Sequence, residues 1–410
     1  MCVRMLKWIN RIALWKQILV AIALGALLGL FAPTAVPYIA FLGDIFMNLL
    51  KMLIAPLVLT TLVSGVCKMG DVGQLRTVGV RIVAFYLVGS AISAGIGMAF
   101  ALVTQPGQGV TDLLGSEAGE AVEYDFLANM ISWIPTNIFE SLATGNTLQI
   151  IVFSLILGVV LLVLGQTVSG LIGIVDQAAE AMLKMTEMIM KISPLGIFAL
   201  IAEMMTSISS NMLVQVLNFI LTDYAACLVI IFLIQPMIVA LLTKESPIKF
   251  IKNIISPIVV AASTTSSAAT LPTAINAAEK ELGVPEKIYG FTLPLGNTCN
   301  MNGMAAVLGV ISVFASNLYG YPITVSSLVQ FIFMGLVLSV GCAGVKGAGI
   351  VMSTVLLQTL GMPLTLVPIL AAVWPVVDPG HTTANITGDL AGTTVVASSL
   401  GELDRKIYRA

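Results

Sequence analysis

The sequence predicts an all-α membrane protein with eight transmembrane helices and two shorter hairpins that enter and leave the bilayer on one side. Three observations carry this expectation. The 410 residues are 58% hydrophobic and 10% charged, with a mean hydropathy of +1.02, whereas an average soluble domain has about 25% charged residues. The charges also avoid long runs: none lies between Lys287 and Lys346, or within Ile82–Thr111, Ser141–Val175, Tyr224–Thr243 and Asn253–Ala278. A spanning helix takes about 20 mostly apolar residues, so these runs are membrane sequence. Finally, two late apolar runs are interrupted by Gly, Ser and Thr, which one smooth helix does not accommodate. Broken backbone at bilayer depth is tolerated where it is buried in protein or lines a wet cavity.

The elements follow in order. Arg4, Lys7, Arg11 and Lys16 precede helix one, 15–32, which ends at Pro33. This start resembles a signal peptide but lacks a small-residue cleavage site, so it is expected to be retained. Helix two, 38–67, carries Asp44 and Lys51 and is expected to tilt. Helix three covers 78–105, helix four 137–167 with Trp133 near the interface, helix five 176–208 with Pro194 bending it, and helix six 214–243. Glu203 and Asp223 either face protein or sit at membrane interfaces, and the expectation favours interfaces. The hairpins are 253–278, with the tip Ser263-Thr264-Thr265-Ser266-Ser267, and 325–362, with a Gly-rich tip at 341–349. Each precedes a long helix with a polar centre, 287–318 broken near Gly296–Gly303, and 364–397. The hairpin-plus-helix unit occurs twice, with a helix count between copies that implies an inverted repeat, a pattern that marks transporter binding sites. Basic termini, a basic loop at Lys68–Arg81 and an acidic loop from Asp112 to Asp125 put both termini in the cytoplasm of a multi-pass cell-membrane protein.

Several classes are excluded. A net charge of −2 offers no basic surface for nucleic acid. Five scattered cysteines without a CxxC pair indicate neither a disulfide framework nor zinc. Asp378 and Asp389, 11 residues apart, are separated by about 16 Å along one helix, too far to act as a catalytic pair, so the chain is not read as an enzyme. A channel filter needs symmetric rings around one pore, which two inverted hairpins do not supply.

The chemistry concentrates in the last third. Asp378, His381, Thr382, Asn385 and Asp389 fall on one helical stripe. A carboxylate at bilayer depth costs about 2.5–3.5 kcal/mol on insertion scales, so two on one face call for cations. Asp378 suits a substrate ammonium, and Asn385 with Asp389 suits an alkali cation. Asn300-Met301-Asn302-Gly303 reads as an unwound turn whose carbonyls, with the Asn300 side chain, are hard oxygen ligands for Na⁺. The hairpin tips offer hydroxyls and helix N-termini that favour a carboxylate. Lys346 stands at the second tip, either wetted at a gate or paired with an acid.

These motifs carry a specific resemblance. Leu293-Pro294-Leu295-Gly296 to Gly303, Asn385-Ile386-Thr387-Gly388-Asp389, Ile134-Pro135-Thr136-Asn137 with Gly145-Asn146, Pro194-Leu195-Gly196-Ile197-Phe198, and Lys51-Met52 to Pro56-Leu57 resemble the dicarboxylate/amino acid:cation symporter family, the glutamate-transporter superfamily, over essentially the whole chain. The resemblance implies a homotrimer working by an elevator motion. Its scaffold would comprise helices 1–2 (1–77) and helices 4–5 with the outer loop (111–213). Its transport domain would hold helix 3 (78–110), helix 6 (214–245), hairpin 1 (246–285), broken helix 7 (286–320), hairpin 2 (321–363), and helix 8 with the C-terminus (364–410).

The resemblance also implies the site. Asp378 would bind the substrate amino group with backbone at Thr265 and Val345, while Asn385 and Ser267, beside Ser266, would hold the main-chain carboxylate. His381, Thr382, Met304 and Gly349 would complete the side-chain pocket, with Lys346 at the gate. One sodium site would use Gly296, Asn300, Asn385 and Asp389; another would use backbone at Thr298, Met301, Ser339, Val340 and Cys342.

Departures from the family pattern matter as much. Asn302 stands for the family's Asp, and Tyr86, Gly89 and Ser90 for its Tyr-x-x-Thr-Ser, so a third sodium site is expected to be lost or degraded. His381 stands for the Arg that clamps an acidic side chain, Met304 for a Thr, and Thr265 for an Arg. An Arg fork is bidentate and permanently charged, and a histidine is neither near neutral pH. The expectation is therefore a symporter for a small neutral amino acid such as serine, threonine or alanine, coupled to Na⁺ or H⁺. The alternative is an acidic amino acid or dicarboxylate carrier in which His381 or Lys346 supplies the positive charge.

Overall fold

The computed structural model describes residues 14–68, 76–110, 131, 134–206, 210–340, 342 and 348–410. Arg4, Lys7, Arg11, the acidic loop 112–125, Trp133, Val345 and Lys346 lie outside them. Among the described residues every regular element is helical. Helix α1 (Leu14–Phe31) ends at Pro33, where a 3₁₀ turn (Pro33–Tyr38) leads into α2 (Ala40–Lys68) and then α3 (Arg76–Thr104).

The expected fourth helix is divided. α4 (Ile138–Thr144) stops at Gly145, whose φ of +71° supplies a left-handed cap, and α5 (Thr147–Leu164) restarts with the Asn146 side chain accepting from Gln149 N. A short 3₁₀ turn joins α5 to α6 (Ser169–Met205), 37 residues that run through Pro194. At 1.5 Å per residue α6 is about 55 Å long, longer than the 176–208 expected, because nothing between Ser169 and Val175 stops a helix. α7 (Ser210–Val229) passes through a π-helical turn at Ile230–Ile234 into α8 (Gln235–Thr243).

The last part of the chain repeats an order of two short helices and one long polar-centred run. After α9 (Pro247–Asn253) come α10 (Ile255–Thr264) and α11 (Ser267–Lys280), which pack together. They meet at Thr265, a non-glycine residue at φ +49°, and at Ser266, whose hydroxyl caps α11 by accepting from Ala269 N. The run that follows is α12 (Glu286–Cys299) and α13 (Asn302–Tyr319), interrupted at Asn300 and Met301 as the sequence predicts. The second copy is α14 (Val325–Val340), α15 (Ala348–Thr359) and the unbroken α16 (Val367–Ser399). A terminal α17 (Arg405–Arg409) follows.

Among the described residues six helical runs are long and apolar enough to cross a membrane, and many of their large apolar side chains stay exposed, among them Val80, Val103, Val163 and Leu241. Such surface is stable against lipid, not water, and this is a multi-pass membrane protein. The exception is the run through α12 and α13, whose most apolar window is 94% buried; in α13 all but Asn317 is buried. One apolar core joins α2 and α6 to α13–α16, and a second gathers α9–α12 around the C-terminal end of α16 and α17. The polar centre of α16 therefore sits inside protein.

The chain's end is stapled to the base of the first hairpin. Glu245, with its side chain 3% exposed, accepts from Arg405 at 2.9 Å and from Arg409 at 2.8 and 2.9 Å. Asn253 Nδ2 donates to Tyr408 O and Glu281 O, and Asp404 N donates to Gly283 O. The Arg409 hydrogen bond, with Arg405 beside it, holds the Glu245 carboxyl below its usual range against the opposing effect of burial. A depressed folded-state pKa contributes stability above the unfolded value, about 4.3, which is lost as pH falls through the folded one. Glu245→Gln is expected to lower Tm by a few degrees at pH 7. Thermal unfolding in detergent should show that gap closing below about pH 4.

Candidate substrate and cation site

Two breaks in helical structure and one unbroken helix build the site. α12 ends at Cys299, and Asn300 and Met301 adopt non-helical backbone before α13 begins. An interrupted helix leaves carbonyl and amide groups without intrahelical partners. The stripe of α16 faces this break. Asn300 Nδ2 donates to Asp389 Oδ1 at 2.7 Å, Gly303 N donates to Asn385 Oδ1 at 2.8 Å, and Asn385 Nδ2 donates to Met301 Sδ at 3.2 Å. Asp389 and Asn300 are 1% and 0% exposed. No cationic side chain pairs with Asp389 among the described residues.

The donor set fits an alkali cation on its own terms. Asn300 Oδ1 is buried without a hydrogen-bond partner, an arrangement that is costly unless something electropositive binds there. Gly296 explains itself by the same geometry: a Cβ there would fall on Asp389 Oδ1 and 2.6 Å from Tyr86 Oη. Only glycine lets α12 backbone approach the carboxylate so closely. Tyr86 is held by donating to Thr292 O at 2.9 Å. Ser90 Oγ donates to Asn302 Oδ1 at 3.3 Å, which occupies that amide oxygen.

Toward α14 the structure gathers the other expected ligands only in part. Cys342 N donates to Ser339 O at 3.2 Å at the end of α14, Ser339 Oγ turns back to Leu336 O, and Thr298 Oγ1 turns back to Leu295 O. Val340 is the last residue of α14. Met301 and Cys342 share the wall of a cavity.

That cavity, about 30 Å³ in volume, lies between the first hairpin tip and α16. Thr265 and Ser267 line it from the hairpin; Asp378, His381, Thr382 and Asn385 line it from α16. Met304 from α13 and Gly349 from α15 close it, with Trp374 between them. Gly349 is required by close approach, because a Cβ there would overlap the Trp374 ring and stand 2.6 Å from Met304 Cε. Ser266 caps α11 and is not among the lining residues.

The sequence reading missed three contributors. Trp374 lies four residues before Asp378 on the same face, and its ring centroid is 5.4 Å from that of His381; its apolar character concealed it. Gln235 donates to Ala384 O at 2.8 Å and accepts from Thr387 Oγ1, fixing α8 to the polar stripe. Asp223 is the important correction. It was expected at an interface, yet it is buried, and its Oδ2 lies 2.8 Å from His381 Nε2 with both side chains 1% exposed. The signal was available: Asp223 is the one charge between Glu203 and Lys244, and His381 is the one histidine of the chain. Glu203, its companion in that expectation, is exposed.

Known proteins are similar to this chain over nearly its whole length. The sodium:dicarboxylate symporter family matches residues 14–399. The chain is 29% identical over 409 residues to a proton/sodium-glutamate symport protein of Bacillus caldotenax, covering 97% of each. It is 30% identical over 410 residues to a proton/glutamate-aspartate symporter of Escherichia coli (strain K12), covering 95% of this chain and 93% of the relative. It is 28% identical over 405 residues to C4-dicarboxylate transport protein 2 of Ralstonia nicotianae, covering 96% and 90%.

Gly296→Ala and Asp389→Asn should both weaken the cation dependence of substrate binding, by roughly 10- to 100-fold in apparent cation affinity. Titrating Na⁺ and H⁺ against substrate binding in purified protein checks this. Unchanged titrations in both variants would place the cation elsewhere.

Proposed function

The chain belongs to the sodium:dicarboxylate symporter family, and on that premise we propose that it carries an acidic amino acid, glutamate or aspartate. It is a cation-coupled secondary transporter of the membrane and not an enzyme. The substrate class is the finer step. The sequence alone favoured a small neutral amino acid, because His381 replaces an Arg. Relatives named for glutamate, aspartate and C4-dicarboxylates support the alternative. One observation carries it: Asp378 and His381 line the same cavity one helical turn apart, so an ammonium and a distal carboxylate can be met at the two ends of one small solute. A dicarboxylate without an amino group would bring only like charge to the wall that carries Asp378, which argues for an amino acid.

In this reading the hydroxyl and amide of Ser267 and Asn385 hold the main-chain carboxylate, Thr382 and Met304 border the side chain, and Thr265 and Val345 offer backbone to the amino group. Na⁺ or H⁺ is the coupling ion. Asp389, Asn300, Asn385 and the Gly296 carbonyl take one cation; the second set, Thr298, Met301, Ser339, Val340 and Cys342, takes another as the second hairpin closes, with Lys346 at its gate. Coupling requires the closed state to be stabilised by solute and cation together. The inverted-repeat, elevator and trimer arrangements, and the division into scaffold and transport domains, belong to the same proposal, as does loss of the third sodium site.

A thermal-shift screen of amino acids and C4-dicarboxylates in Na⁺, K⁺ and choline at two pH values tests it. Acidic amino acids should stabilise the protein only with a coupling cation; stabilisation by serine, threonine or alanine alone would restore the neutral reading. Asp378→Asn should cost roughly 100-fold in amino-acid affinity, the scale of losing a charge-assisted hydrogen bond with its ion pair.

A further inference from the structure

The reading above leaves Asp223 without a task. It is an acid in the middle of an apolar helix, buried, and aimed at the one residue said to meet the substrate's distal carboxylate. We propose that Asp223 fixes the tautomer of His381, so that an acidic side chain binds only together with a proton carried on the His381 ring. The proposal rests on the acidic-substrate reading and adds to it a positioning residue and a proton.

His381 Nε2 is engaged by Asp223 Oδ2 at 2.8 Å, and Nδ1 is buried with no partner. Asp223, as a carboxylate, accepts only, so Nε2 carries a hydrogen in either charge state of the ring. A neutral imidazole has one N–H and one lone pair. Neutral His381 therefore presents a lone pair at Nδ1, which repels a carboxylate and sits beside the unneutralised charge of Asp223. Taking one proton from solvent forms the Nδ1–H bond, leaves Nε2–H on Asp223, and turns the cavity-facing residue from acceptor to double donor. The pair is then neutral overall and offers a hydrogen bond to the substrate. An arginine in this place would hold its charge at every pH, and no proton would accompany the substrate.

Other titratable groups surround the pair and must be separated from it. Tyr224 and Cys227 approach from α7, with Tyr224 Oη donating to Val376 O at 2.5 Å, and Cys227 is buried. Asp378 lies on the histidine's own helix, and Cys342 is in the cavity wall. Asp378 meets the amino group, which acidic substrates share with their amides. The contrast between L-aspartate or L-glutamate and L-asparagine or L-glutamine therefore isolates the distal group.

The experiment measures binding of these four amino acids to purified, detergent-solubilised protein between about pH 5 and pH 9, with proton uptake followed by a pH dye in weak buffer. In wild type, the dissociation constant of the acidic pair should rise about tenfold per pH unit on the alkaline limb, and each substrate bound there should take up close to one proton. The amides should show neither. His381→Arg should bind the acidic pair without pH dependence and without proton uptake. Asp223→Asn releases the tautomer: its amide can donate to Nε2, letting neutral His381 present Nδ1–H. Its pH profile should flatten while binding persists, whereas a merely structural role would weaken binding equally at every pH. Acidic substrates bound at no pH would overturn the acidic-substrate reading. Acidic binding without proton uptake, or amides with the same pH slope, would overturn the tautomer proposal alone. If Asp223→Asn fails to fold, the wild-type and His381→Arg comparison still decides.

Discussion

An ionised carboxylate at bilayer depth has no water to stabilise it, and the arrangement of this protein's interior follows from that cost. Among the described residues Asp223, Asp378 and Asp389 lie at or beside the cavity and cation region, and each is placed differently. Asp223 is met by the histidine ring across the α7–α16 contact. Asp389 is met by the Asn300 amide, with the partnerless Asn300 oxygen beside it. Asp378 stands on the cavity wall, where the proposed function has it meet the positively charged part of a solute. α16 carries its polarity through an apolar protein because His381 meets Asp223 of α7, Asp389 meets the Asn300 amide, and Asp378 lies on the cavity wall.

Helix interruptions supply the complementary half. A continuous helix consumes its own carbonyls and amides; a broken one releases them at a chosen depth. The gap at Asn300–Met301 admits Asn385 to Gly303 N and brings Met301 to the cavity. At the first hairpin, the left-handed Thr265 and the capping Ser266 turn the chain so that Thr265 and Ser267 face the same space. Gly296 and Gly349 allow backbone to reach Asp389 and the Trp374 ring where any side chain would collide. These breaks are tolerable because the surrounding helix α13 is almost wholly buried, so the exposed backbone groups meet protein and not lipid.

Most helices were legible because lipid imposes a composition that a sequence cannot hide. The long uncharged runs, the stop at Pro33 and the Ser/Thr tip around Thr265 locate elements by local chemistry alone, whereas the stop at Gly145 inside the expected helix 137–167 was not anticipated. Boundaries were less legible where no local signal exists: α6 begins at Ser169 because the preceding turn is only four residues long. In the site, the stripe from Asp378 to Asp389 was readable because helical periodicity places those residues together by itself. Trp374 was not, since a tryptophan in an apolar run is indistinguishable from core until its neighbours are known.

By itself, the sequence determined that this is a polytopic membrane protein with polar breaks in its final third, because hydropathy and helical period are properties of the chain. It also determined which acids and amides on α16 share a face. Only the tertiary structure decided which of them meet groups from elsewhere. The sequence separations of 158 for Asp223 and His381 and 89 for Asn300 and Asp389 carry no local signal of contact. Those pairings arise from how separate helices pack, and the charge state and substrate of the cavity depend on them.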